Sequence, residues 1–169
     1  MPRKPPSDPA QQAEEPVGTS RLQVSHPASG SLAQAAEVLG AGRTAWLGEL
    51  VEARAGEHAG RYLLDLELRV TDAAPRVAFR KAAFVDVGPL EPDADGPTVE
   101  ISWRAAGLAT LFPVFAGRLS WRDGELVLDG YYAPPGGGMG VIADRLLLNV
   151  AARATGRRLL ERIAEVMAA

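Results

Sequence analysis

From Gly60 to Tyr132 the sequence alternates with a period of two, and from about residue 141 to Met167 it takes up the period of a helix. A chain of this form has a small choice of folds: an antiparallel meander that must bury one face, and one long helix to cover it. The strands are legible one by one. Tyr62, Leu64, Leu66, Leu68 and Val70 share a face, with Asp65, Glu67 and Arg69 on the other. A second strand, Arg76 to Val87, starts with Val77 and Phe79 inward and loses phase around Lys81-Ala82-Ala83, which predicts a bulge there. Thr98 to Ala105 turns Val99, Ile101 and Trp103 inward, and Phe115 to Arg122 does the same with Phe115, Leu119 and Trp121. Asp123-Gly124 is a two-residue hairpin signal, and Glu125 to Tyr132 returns as the last strand. At ~1.5 Å per residue the final helix reaches about 40 Å, enough to cross a small sheet. Its apolar stripe is Leu159, Leu160, Ile163, Val166 and Met167, and at helical spacing it continues back through Gly156, Ala152, Asn149, Leu148 and Arg145.

The segment before the meander adds a strand and two short helices. Arg21 to His26 alternates and is closed by Pro27 and Gly30. Ser31 to Gln34 has the spacing of a capping box for a helix ending at Leu39, with Gly40 as its C-terminal cap. Thr44 is placed to cap a second helix running towards Gly56, in which Trp46, Leu47, Leu50 and Val51 share a face; an extended reading of Thr44 to Val51 is also open. Residues 1–18 hold five of the thirteen prolines among Gln, Glu and Ser, a composition expected to stay disordered. The folded unit is therefore expected to be one domain, 19–169.

Composition narrows the chemistry. With 18 Lys+Arg against 21 Asp+Glu the net charge is −3, which argues against a nucleic-acid partner. Hydrophobic residues make up 47%, enough for a core, while no apolar run approaches a bilayer span, so no integral membrane segment is expected and a cytoplasmic location is the default. The absence of cysteine excludes disulfides, thiolate metal sites and a cysteine nucleophile. His26 and His58 are the only histidines and lie in no triad or metal spacing.

Three patterns resemble chemistry without completing it. Gly138-Met139-Gly140-Val141-Ile142-Ala143 opens a helix as a dinucleotide motif does, but no parallel strand follows, so no cofactor is expected. Glu91, Asp93, Asp95 and Gly96 fit the start of a calcium loop, yet the twelfth position is Ser102, so no metal is expected and a solvated turn accounts for the same residues. Tyr131 and Tyr132 are the remaining hydrogen-bond donors to a substrate carbonyl, one expected inward and the other outward.

Leu111-Phe112-Pro113-Val114-Phe115, then Gly130-Tyr131-Tyr132-Ala133-Pro134-Pro135-Gly136, and Asp144 carry a resemblance to a known family. Together with the element order over residues 20–168, the chain resembles the START-like or SRPBCC superfamily. That superfamily includes polyketide cyclases, lipid-transfer domains and the pollen-allergen family. The resemblance implies an α+β helix-grip fold: a strand, two short helices, a curved antiparallel sheet and a long C-terminal helix packed on it. It also implies a cavity for an apolar ligand between sheet and helix. Six strands are usual after the two short helices and five are legible here, so a sixth is expected to hide within Pro75 to Pro89 unless the cavity is small.

On such a fold Arg145 and Asn149 would offer a polar handle to an apolar small molecule surrounded by Trp103, Phe115, Leu119, Trp121 and Tyr132. The plainer alternative sends Arg145 to solvent and Asn149 to a loop carbonyl. Three functional readings stay open. One is a carrier of a small hydrophobic molecule, with no catalytic residues. Another is a cyclase- or dehydratase-like enzyme using Tyr132 with Arg145 and Asn149. The third is an interaction module with a filled core. Oligomeric state is not readable from the sequence.

Overall fold

Asp123 and Gly124 both have positive φ, 48° and 86°, as a two-residue type I′ hairpin requires. The turn joins β6 (Val114–Arg122) to β7 (Glu125–Ala133) and fixes their register, with Trp121 opposite Leu126, Leu119 opposite Leu128 and Phe115 opposite Tyr132. The computed structural model describes residues 19–53, 59–69, 78–93, 95–107, 114–133 and 142–169. The Pro-rich segment 1–18, His58, most of the Leu111–Phe115 motif and the Gly138-x-Gly140 turn lie outside them.

The remaining strands are β1 (Ser20–Pro27), β2 (Glu49–Ala53), β3 (Gly60–Arg69), β4 (Ala78–Asp93) and β5 (Gly96–Ala105). They complete one sheet in the order β1-β7-β6-β5-β4-β3-β2, every neighbouring pair antiparallel. Helices α1 (Leu32–Leu39) and α2 (Thr44–Leu47) follow β1, and α3 (Ile142–Ala168) closes the chain. Helix α3 rests on β1 and β7 near one edge and on β3 near the other. A helix crossing a flat sheet from β7 to β3 would meet β6, β5 and β4 equally on the way. Among the described residues it makes no comparable contact with them, as expected of a curved sheet that holds the helix towards its edges. The bend is built from small residues. Gly117 and Gly130 face each other across β6 and β7, and a Cβ on either would stand 2.3 Å from a backbone oxygen of the opposite strand. Only glycine lets two backbones close to that distance.

Three local expectations are corrected. The second helix stops at Leu47, not beyond Val51. Gly48, at φ 97°, turns the chain out of the helix, and Leu50 and Val51 continue as the exposed edge strand β2 against β3. That strand is the one missing from the sequence count, so it was not hidden in Pro75 to Pro89. The bulge also moves. Pairing of β3 with β4 is continuous from Ala78 to Val87, and the shift comes between Val87 and Leu90. Pro89 has no N–H to give to a ladder at that point. The apparent phase loss comes from two residues against the alternation: Lys81 shares the parity of Phe79 and Ala83, and Phe84 is an apolar residue on the outer face, covered by the guanidinium groups of Arg104 and Arg61 at 5.2 and 5.9 Å from its ring centroid.

The cap of α1 is half of the expected box. Ser31 Oγ accepts from the Gln34 N–H at 3.2 Å, but the Gln34 side chain donates to the Met167 carbonyl instead of reaching back to Ser31. It thereby ties α1 to the last turn of α3. Gly40 does end α1, with its N–H on Ala36 O at 2.9 Å. Its φ is −91°, so glycine is needed there for close approach: a Cβ would lie 2.7 Å from Ala36 O.

Candidate functional site

The bowed sheet arranges its inward side chains in rungs, because each antiparallel register carries one residue directly opposite the next. One rung runs Tyr62, Val85, Trp103, Phe115, Tyr132 across β3, β4, β5, β6 and β7. All five are buried. Trp103 and Phe115 stack with ring centroids 4.1 Å apart and planes at 19°. The Phe115 ring leans over the facing glycines, 2.7 and 2.8 Å from where their Cβ atoms would stand. Tyr132 faces inward and Tyr131 is half-buried on the other side, as the alternation predicts.

A second rung carries Val99, Leu119, Leu128 and Val24, and here the long helix comes down onto the sheet. A Cβ on Gly156 would lie 2.9 Å from Val24 Cγ2 and 3.2 Å from Leu128 Cδ2. Ala152, Thr155, Gly156, Leu159, Leu160, Ile163 and Met167 form the buried stripe of α3. Trp121 sits at the end of the sheet, its indole N–H donating to Ala28 O at 3.0 Å.

Among solved structures, Ara h 8.0201 is similar to this chain nearly end to end: 11% identical over 89% of this chain and 99% of that one, with a TM-score of 0.53. This chain has the helix-grip fold. DynU16, a protein of the dynemicin biosynthetic locus, also matches, 16% identical over 90% of this chain with a TM-score of 0.44; the chain spans about half of its length, 48%. No protein-family model and no curated protein matches the sequence. Among the described residues, no helix of the helix-grip domain is long and apolar enough to cross a membrane.

Within the helix-grip sheet the structure brings Trp103, Phe115 and Tyr132 together on one rung, sets Leu119 on the next, and holds Trp121 further along. Asn149 does not join them through a free amide: its Oδ1 accepts from Arg153 Nε at 3.0 Å along the helix. The side chain of Arg145 lies outside the described residues. The acidic residues expected to form a solvated turn lie in the β4–β5 hairpin, with Asp93 opposite Gly96 and Asp95 3.5 Å from Arg122.

Two buried donors on the concave side are short of acceptors; the sequence nominates Trp103 for its ring and does not nominate Arg43. Trp103 Nε1 is buried with no hydrogen-bond partner, whereas the other indoles are bonded, Trp46 to Val38 O at 2.9 Å and Trp121 to Ala28 O. Arg43, in the single 3-10 turn Ala41–Arg43 between α1 and α2, is 1% exposed. Its Nε donates to Gly40 O at 2.7 Å and its Nη1 to Gly88 O at 3.0 Å, while Nη2 has no partner. Burial pushes its pKa below the usual arginine value, and the nearby Tyr62 hydroxyl opposes that shift. In the sequence Arg43 stands in Gly40-Ala41-Gly42-Arg43, where an arginine reads as solvent-exposed; only its tertiary burial distinguishes it. Thr98 Oγ1 is also buried without a partner, but Thr98 alternates with Val99 and belongs to the outward set of β5.

Chemically, the concave face is an aromatic wall with spare N–H donors. Such a surface holds an apolar body and fixes its orientation through an acceptor atom.

Proposed function

We propose that this protein binds or carries a small, largely apolar molecule held between the sheet and α3. The observation that carries the reading is the Trp103 indole N–H, buried in an aromatic rung and bonded to nothing among the described residues. A buried donor left unmatched costs about 1–3 kcal/mol, and a guest bearing an acceptor removes that cost. Trp103, Phe115, Leu119, Trp121 and Tyr132 line the guest in this reading, and Arg145 with Asn149 close the helix side. The bow of the sheet supports it, because β4 to β6 stand off from the helix while the edges grip it.

Native mass spectrometry of gently purified protein tests the proposal. A bound species that leaves on denaturation is the expected result. A clean apo mass, together with no uptake by calorimetry of 2-naphthoate, 2-naphthamide, dodecanoate or dodecanol, overturns it in favour of a filled core.

A further inference from the structure

Both spare groups on the concave side, Arg43 Nη2 and Trp103 Nε1, are donors, so what satisfies them must accept hydrogen bonds. Arg43 adds a charge to that requirement. A guanidinium is protonated at any ordinary pH, this one is almost wholly buried, and among the described residues no carboxylate pairs with it. Two carbonyl oxygens occupy Nε and Nη1 and so pin the group; the neutral Tyr62 hydroxyl lies beside it, yet Nη2 makes no hydrogen bond and the charge has no counter-charge among the described residues. Buried charges in proteins are normally paired.

Its position ties it to the aromatic rung. The Tyr62 hydroxyl lies 3.4 Å from where a Cβ of Gly60 would stand, so the ring leans towards the Gly60–Val87 rung. Gly88, the next residue, is the one whose carbonyl holds Arg43. Tyr62 and Trp103 are two strands apart on one rung, roughly 10 Å at the usual strand spacing.

We propose that the guest is an anion, an apolar carboxylic acid whose carboxylate is taken by Arg43 at the α1–α2 end while its apolar body lies along Tyr62, Trp103 and Phe115. This rests on the binding reading above and names the class of molecule bound. No bond is made or broken; the carboxylate supplies the missing counter-charge.

Calorimetric titration of the full chain with matched probes tests it. The pairs are 2-naphthoate against 2-naphthamide, and dodecanoate against dodecanol, at neutral pH. In the wild type, each acid is expected to bind at least about tenfold more tightly than its neutral partner, the scale of a charge-assisted hydrogen bond. Arg43→Gln is expected to abolish that preference by weakening the acids alone. Equal or tighter binding of the neutral probes by the wild type overturns the inference and leaves the carrier reading standing. No binding of any probe overturns both. An Arg43→Gln protein that loses acids and neutral probes alike assigns Arg43 to the scaffold and overturns its role in holding the anion. The wild-type comparison decides even where the variant does not fold.

Discussion

A methyl group at Gly117 would have to share space with Asp129 O at 2.3 Å and the Phe115 ring at 2.7 Å, so the position is closed to any other residue. Gly117→Ala is expected to lower stability by about 1–3 kcal/mol, the range for overpacking, read as a fall in the urea midpoint. The tryptophans separate in the same way. Trp121→Phe strands the buried Ala28 carbonyl, whereas Trp103→Phe breaks no hydrogen bond. The first is therefore expected to be about 1 kcal/mol more destabilising than the second, and equal midpoints would contradict the unmatched state of Trp103. At this scale the sequence showed which residues turn inward, since alternation reports the face of a strand. It could not show which buried polar atoms go unmatched, because that depends on partners far away in the chain: Trp121 and Ala28 are 93 residues apart, and Arg43 and Gly88 are 45 apart.

Helix α3 meets the sheet most closely at Gly156, and two effects oppose each other there. Alanine stabilises a helix interior by about 1 kcal/mol relative to glycine, but its methyl would meet Val24 Cγ2 at 2.9 Å, and overpacking costs about 1–3 kcal/mol. Gly156→Ala alone is expected to destabilise. In a Val24→Ala background the nearest obstructing methyl is gone, and Leu128 Cδ2 at 3.2 Å, the end of a flexible side chain, can move aside into the space Val24 leaves, so the same change is expected to stabilise. A double-mutant cycle by urea unfolding reads the sign reversal directly, and additivity of the two changes would place the helix further from the sheet. The existence and type of the long elements were legible, since a helix of twenty-seven residues and a ladder of alternating strands each carry many periods. The short ones were not. Trp46, Leu47, Leu50 and Val51 fit a helical face, but one glycine in a left-handed conformation divides them between α2 and β2. Lys81-Ala82-Ala83 simulated a bulge because Lys81 shares the parity of Phe79 and Ala83, and because Phe84 is an outward apolar residue sheltered by two arginines, a tertiary fact without a local signature.

Across the whole molecule, the grip leaves the three tryptophans in different relations to the aromatic rung. Trp46 is buried on α2 with its indole bonded to Val38 O, and Trp121 is fastened to the loop after β1 at the end of the sheet. Trp103 alone has a free indole N–H among the described residues, and it stacks on the ring that covers the bend. A guest lying along the aromatic rung must therefore act on one emitter above the others. Acid binding, followed with dodecanoate because it does not absorb where tryptophan does, is expected to change the intrinsic emission of the wild type, of Trp46→Phe and of Trp121→Phe. Trp103→Phe is expected to lose most of that change while still taking up dodecanoate by calorimetry. If the signal survives in Trp103→Phe and disappears in Trp121→Phe, the guest sits at the Trp121 end of the sheet, beside the loop that follows β1. That outcome would take the apolar body off the rung of Trp103 and Phe115 and overturn the path proposed for it.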